Sequence, residues 1–271
     1  MRSTVLNVIA RGAFGLVALT AADVSPATAQ AQFEARYTLS MAGIAIGKLV
    51  WQTRLGAAEY TTGADGRVAG FLSLLVSGEG KVNVAGRIRD GRPQPASFVS
   101  AVVREDEKVN VRFDFDGSRV RNLKVEEPTP EPDRVPIADA HKSGVMDPLS
   151  AFIIPGAEAD PLAPASCSRT LAMFDGRRRY DLALSFKRND FVKGESGVRR
   201  PVLVCSIKFT PISGHRSSSQ LVKFLAEGRD IEVWLAPVRT TRFLVPVRLS
   251  VASLIGDMVL QANQFETAAL D

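Results

Sequence analysis

The segment Arg179-Tyr-Asp-Leu-Ala-Leu-Ser-Phe186 places Tyr180, Leu182, Leu184 and Phe186 on one side of an extended chain. Arg179, Asp181, Ala183 and Ser185 fall on the other. Strand side chains point alternately to the two faces, so this period of two describes a β-strand with one dry face and one wet face. The pattern recurs at Phe243, Val245, Val247, Leu249 and Val251, and again at Val109, Val111, Phe113 and Phe115. A sheet with a single dry face is typically antiparallel. Asp65-Gly66, Asp90-Gly91, Asp116-Gly117 and Asp175-Gly176 suit the tight turns of such a sheet, because glycine accepts a positive φ and aspartate tolerates it.

Working outward, strands are expected at 33–42, 45–55, 58–67, 80–89, 96–104, 107–116, 118–126, 169–175, 178–188, 201–210, 220–226, 229–236, 240–251 and 256–265. Two short helices are also expected. Val68 to Val76 is apolar without alternation. The second starts at Asp147, an N-cap residue, with Pro148 at the first helical position and Leu149 to Ile154 following. Pro128, Pro130, Pro132 and Pro136 keep residues 127–146 out of any ladder, since proline lacks the donor. That segment joins two halves, 32–126 and 147–271, of one domain. A second proline-bearing loop covers 155–166. The expected fold is all-β with minor α, a single highly curved antiparallel sheet forming a β-spiral or an open or half barrel.

The N-terminal residues read differently. Arg2 and Arg11 precede the apolar run Gly12 to Ala22, which is too short to span a bilayer. Pro26 and two small-x-small sites, Ala27-Thr28-Ala29 and Ala29-Gln30-Ala31, follow. This is the order of a secretory signal, so residues 1–31 are expected to be removed near Ala29 or Ala31. A Gram-negative periplasmic location is the corresponding expectation. No cysteine stands at the cleavage site to take a lipid anchor. No later stretch is long and apolar enough for a transmembrane helix. A membrane β-barrel would carry aromatic girdles, and the chain has three tyrosines and two tryptophans.

The net charge of +5 is spread along the chain, densest at Arg177-Arg178-Arg179 and Arg199-Arg200. No basic helix or aromatic stacking motif accompanies it, so nucleic acid is not an expected partner. Cys167 and Cys205 are an even pair in a chain bound for an oxidising compartment, and a disulfide is the simplest reading. Closing that loop is worth about 4 kcal/mol on chain entropy alone. His141 and His215 are not at ligand spacing with either cysteine, and no metal site or cofactor is expected.

Catalytic motifs are missing too. There is no G-x-S-x-G elbow, no H-E-x-x-H and no phosphate-cradling glycine loop. The nearest approach to a hydrolase set is Asp147 with Ser150, and His215 beside Ser213 and Ser217. Asp114 and Asp116 share a strand face and are a conceivable carboxylate pair, although Asp116 also reads as a turn residue. The dry face of a curled sheet must be covered, and helices beside it can act as lids over a greasy ligand. Trp51, Trp234, Phe71, Phe152, Leu74 and Leu75 are the candidate wall or lid residues of such a groove, with an ordinary filled core as the competing reading.

Several segments also resemble a known family. Val145–Ile153 (VMDPLSAFI), Met173–Phe186 (MFDGRRRYDLALSF), Val204–Arg216 (VCSIKFTPISGHR) and Ile231–Leu260 are similar to the exported bacterial family called domain of unknown function 3108. Phe33–Trp51 looks like its opening hairpin. The resemblance implies a β-rich envelope protein with no established reaction. More distantly, the chain resembles β-spiral envelope-integrity proteins and the half-barrel carriers of lipoproteins. The function expected is a non-enzymatic periplasmic protein of envelope maintenance that binds a lipid or acyl chain. An interaction module for another envelope protein and a hydrolase of glycans or esters are the alternatives.

Overall fold

At Asp90 and Gly91 both residues take positive φ, 51° and 66°. This is the left-handed turn whose twist matches that of paired strands. It joins β4 (Gly78–Arg89) to β5 (Arg92–Arg104). Hairpins of this kind build nearly the whole molecule. The computed structural model describes residues 31–70, 78–104, 107–127, 133–193, 197, 199–228, 230–253 and 256–269. The remaining strands of the first half are β1 (Ala31–Met41), β2 (Ile44–Leu55), β3 (Glu59–Val68), β6 (Glu107–Asp116) and β7 (Arg119–Glu126). The second half holds β8 (Ile154–Pro155), β9 (Arg169–Phe174), β10 (Arg179–Lys193), β11 (Arg199–Ser213), β12 (Ile231–Pro237), β13 (Phe243–Val251) and β14 (Met258–Ala269).

These strands form one antiparallel sheet in the order β7-β6-β5-β4-β3-β2-β1-β14-β13-β12-β11-β10-β9, with β8 paired to β13. Two meanders therefore run outward from a central seam where β1 lies between β2 and β14. The sheet is open but curled until its ends approach each other. Met146 N donates to Ala172 O and Phe174 N donates to Met146 O, both at 2.9 Å, so this segment lies along the free edge of β9. Val145 N donates to Ser118 O, in the β6–β7 turn, at 3.1 Å. The Phe113 and Phe174 rings stand 5.6 Å apart across the gap. Gly176, at φ +89°, sits where a Cβ would lie 2.2 Å from Val111 Cγ1, so the β9–β10 turn meets β6 only as glycine.

Most expected strands are present, with three differences among the described residues. Residues 220–226 form helix α2 (Gln220–Ala226), whose N-cap Ser219 accepts from Val222 N. An apolar run this short does not separate strand from helix by periodicity. Asp65-Gly66 lies inside β3, opposite Val50 and Leu49, and makes no turn. The helix after Asp147 is α1 (Pro148–Ala151), and its expected continuation ends in the short β8. The other expected helix, Val68 to Val76, begins on the last residue of β3 and otherwise falls mainly outside the described residues.

The dry face is filled. Phe33, Trp51, Tyr60, Phe98 and Phe113 form one buried cluster, completed by Val145, Ile153, Phe174 and Phe243. A second gathers Leu171, Met173, Leu184, Leu203, Val233 and Leu235 around the Cys167–Cys205 disulfide. Burying each such side chain stabilises by about 1.5–3 kcal/mol. Strand β13 departs from the expected alternation. Phe243 and Val245 enter the first cluster and Leu244 the second, so both faces are buried there. A third cluster of Val202, Val204, Ala236 and Val247 backs it. Phe186, expected on the dry face, is 42% exposed, and the register shifts just beyond it, between Phe186 and Arg188. The proline-bearing connection docks through Val135, whose N–H donates to His215 O at 2.9 Å and whose carbonyl accepts from Gly214 N at 2.8 Å.

Candidate functional site

Of the residues expected to line an apolar groove, the three that are described lie in different surroundings. Trp51 is 5% exposed in the first cluster, and its Nε1 donates to Thr62 Oγ1 at 2.7 Å. Thr62 in turn bonds Thr53 at 2.6 Å, so the indole is fixed by a small buried hydroxyl chain. Phe152 is half-buried between the first and second clusters. Trp234 packs instead with the third cluster. Its ring lies under two guanidinium groups, Arg248 at 4.1 Å and Arg188 at 5.7 Å. Trp51 and Trp234 thus belong to separate surroundings. Phe71, Leu74 and Leu75 lie outside the described residues.

The hydrolase set is not assembled among the described residues. Asp147 is fully buried, and its Oδ1 accepts from Leu149 N at 3.0 Å and Ser150 N at 2.9 Å as a helix cap. Burial pushes its pKa up to about 6, against the lowering effect of those hydrogen bonds. The Ser150 hydroxyl is 2.6 Å from the Tyr60 hydroxyl and has no imidazole on it. His215 is in the loop held by Val135, Ser213 is fully buried in β11, and Ser217 N donates to Asp133 O. Asp114 and Asp116 do share the wet face of β6, but each is engaged by β7. Asn122 donates to Asp114 at 2.9 Å, and Arg121 pairs with Asp116 at 3.5 Å. No group of acidic, histidine or cysteine side chains among the described residues is arranged to hold a metal.

The space lies on the opposite, polar face. One groove of about 880 Å³ crosses β1 to β6 and is walled by Arg36, Lys48, Arg67, Lys81 and Lys108 with Asp65 and Glu79. A second, of about 740 Å³, lies across the same strands nearer Glu34, Arg54 and Asn83. A third, of about 580 Å³, is bounded by Trp234, Arg248, Gln261 and Lys193. Sequence reasoning passed over these residues because wet positions of a strand are ordinarily just solvated. The available signal was the abundance of Lys and Arg at those alternate positions. What the arrangement offers is charge and hydrogen bonding, without a nucleophile beside a base.

Residues 33–263 match the family described as Protein of unknown function (DUF3108). The chain belongs to that family. Among curated proteins none matches it in sequence. A similar solved structure is the β-barrel-like protein of domain of unknown function DUF1849 from Brucella abortus, at 12% identity and a TM-score of 0.48, covering 90% of this chain and 98% of that one. In this DUF3108 chain no helix among the described residues is long and apolar enough to cross a membrane. The Cys167–Cys205 bond, with both cysteines fully buried and Cα atoms 5.7 Å apart, fastens the loop before β9 to β11.

Proposed function

We propose that this chain is an exported, non-catalytic protein of the bacterial envelope that works as a binding scaffold, presenting the polar face of its curled sheet. The observation that carries this reading is the location of open space. The apolar face is occupied by its own rings and aliphatic chains, whereas the 880 Å³ groove is walled chiefly by charged side chains, and the third groove sets Lys193, Arg248 and Gln261 beside Phe191, Val192 and Trp234. Export is supported by the leader-like pattern of residues 1–31 and by a buried disulfide, which forms and persists in oxidising compartments. A non-catalytic role is supported by the engagement of Ser150 with Tyr60 and by the loop placement of His215. A lipid carrier, the other envelope role expected from the sequence, is less well supported, because the apolar clusters of the described residues are packed with their own side chains.

The full chain expressed in a Gram-negative host tests this. The expected result is a processed, oxidised protein in the periplasmic fraction, with no amphiphile in its lipid extract by mass spectrometry. A reduced protein in the cytosol overturns the export reading. A stoichiometric fatty acid or phospholipid in the extract overturns the scaffold reading in favour of a carrier.

A further inference from the structure

The register of the sheet aligns side chains across strands on the polar face. Lys108 of β6 stands opposite Val103, Val103 opposite Glu79, Glu79 opposite Arg67, and Arg67 opposite Lys48. The row continues from Lys48 to Thr38, Gln261, Arg248 and Trp234. All members from Lys108 to Thr38 line the 880 Å³ groove, and Gln261, Arg248 and Trp234 line the groove beyond the seam. Asn263 belongs to both grooves, so they are continuous, and its Nδ2 donates to Thr38 Oγ1 at 2.8 Å. With neighbouring strands about 4.8 Å apart, the row extends roughly 38 Å across the strands.

Charge along the row is one-sided. Lys108, Arg67, Lys48 and Arg248 face a single acid, Glu79. Lys48, Arg67 and Lys108 make no ion pair among the described residues, whereas the flanking Lys81 and Arg36 are held by Asp65 at 3.1 Å and Glu34 at 2.7 Å. Arg248 lies over the Trp234 ring and donates through Nη1 to Gln261 Oε1 at 2.8 Å. Its buried Nε and the buried Trp234 Nε1 have no hydrogen-bond partner in the protein. Clefts lined by one sign of charge concentrate ligands of the opposite sign.

We infer that this trench binds an extended anionic glycan, a chain of uronate-like sugars lying across the strands. The inference rests on the scaffold reading above and names its ligand. A linear chain fits because the cations are strung along one line instead of gathered at a point. A glycan fits because an amide and a hydroxyl (Asn263 and Thr38) share the trench with the cations, and sugar hydroxyls are natural partners of such groups. Single-stranded nucleic acid would need a succession of aromatic platforms for its bases. Trp234, at one end, is the aromatic on the row.

Titration calorimetry of the purified oxidised protein with galacturonate oligomers tests the inference. A dodecasaccharide long enough to span the row is expected to bind at least about tenfold more tightly than a trisaccharide. Its affinity is expected to fall about tenfold or more between roughly 50 and 300 mM salt, as screening of exposed charges requires. The double variant Lys48→Glu/Arg67→Glu should lose binding by about tenfold or more with an unchanged melting curve, since both side chains are exposed. The control Arg87→Glu/Arg89→Glu, elsewhere on β4, should keep it. Absence of binding at low salt, undiminished binding by the Lys48/Arg67 variant, equal affinity for both lengths, or a preference for single-stranded DNA or phosphatidylglycerol vesicles overturns the inference. Such a result leaves the export and lipid-extract outcomes, which are measured separately, untouched.

Discussion

Asp147 is a helix cap and a buried acid at once. The first role favours the carboxylate, whose Oδ1 accepts two backbone N–H groups, while burial favours the neutral acid and prevails. A pKa raised from 3.8 to about 6 means that the folded protein holds this proton more tightly than the unfolded chain. The resulting stability is fully present below about pH 4 and is lost as pH rises through 6, on the order of 3 kcal/mol. Asp147→Asn keeps a capping oxygen and removes the charge. Urea unfolding across this range should show wild type losing stability relative to the variant; parallel pH profiles would refute the assignment. The bond from Ser150 to Tyr60 ties α1 to β3, ninety positions away in the chain. Tyr60→Phe and Ser150→Ala should each cost about 1–3 kcal/mol, and the double variant less than their sum. At the first position of β1, Ala31 is fully buried and pairs with Leu55 and Ala269. Under the export reading, N-terminal sequencing of the secreted protein should begin at Gln30 or Gln32, after Ala29 or Ala31, and a retained leader would refute that reading.

Individual elements are where sequence reasoning succeeded most. The hairpins from β1 to β7 followed from alternation and from Asp90-Gly91 and Asp116-Gly117, because strand period and turn chemistry are local properties. Asp65-Gly66 and α2 show the limit. A dipeptide that tolerates a turn does not impose one when both flanking strands continue the ladder, and an apolar heptapeptide becomes helix once Ser219 caps it. The disulfide was legible from two cysteines and a signal sequence. It closes a separation of 38 residues and lies inside the second cluster. Cys167→Ser should lower the melting temperature under oxidising conditions by about 10 °C, as should reductant on wild type. Identical melts in all conditions would show that the bond contributes nothing.

The whole molecule depends on a seam between its most distant strands. β1 and β14 pair over eleven registered positions, from Ala31 with Ala269 to Met41 with Met258. Removing Met258–Ala269 unpairs β1 and β13 together and exposes two sheet edges in the middle of the fold. Light scattering should show this truncated chain aggregating, whereas a monodisperse product would mean that each half holds itself together. Of the residues suggested as wall or lid of a ligand groove, Trp51 packs in the first cluster and Trp234 against the third, with a register shift just after Trp234. From the sequence alone came the strand period, the turns, the capped helix, the cysteine pair and the export pattern, all set by interactions between residues close in the chain or by composition. Only the tertiary structure decided that the dry face is closed and the wet face grooved. Alternation states which side chains share a face, but what covers that face depends on how far the sheet curls and which distant strands it brings together.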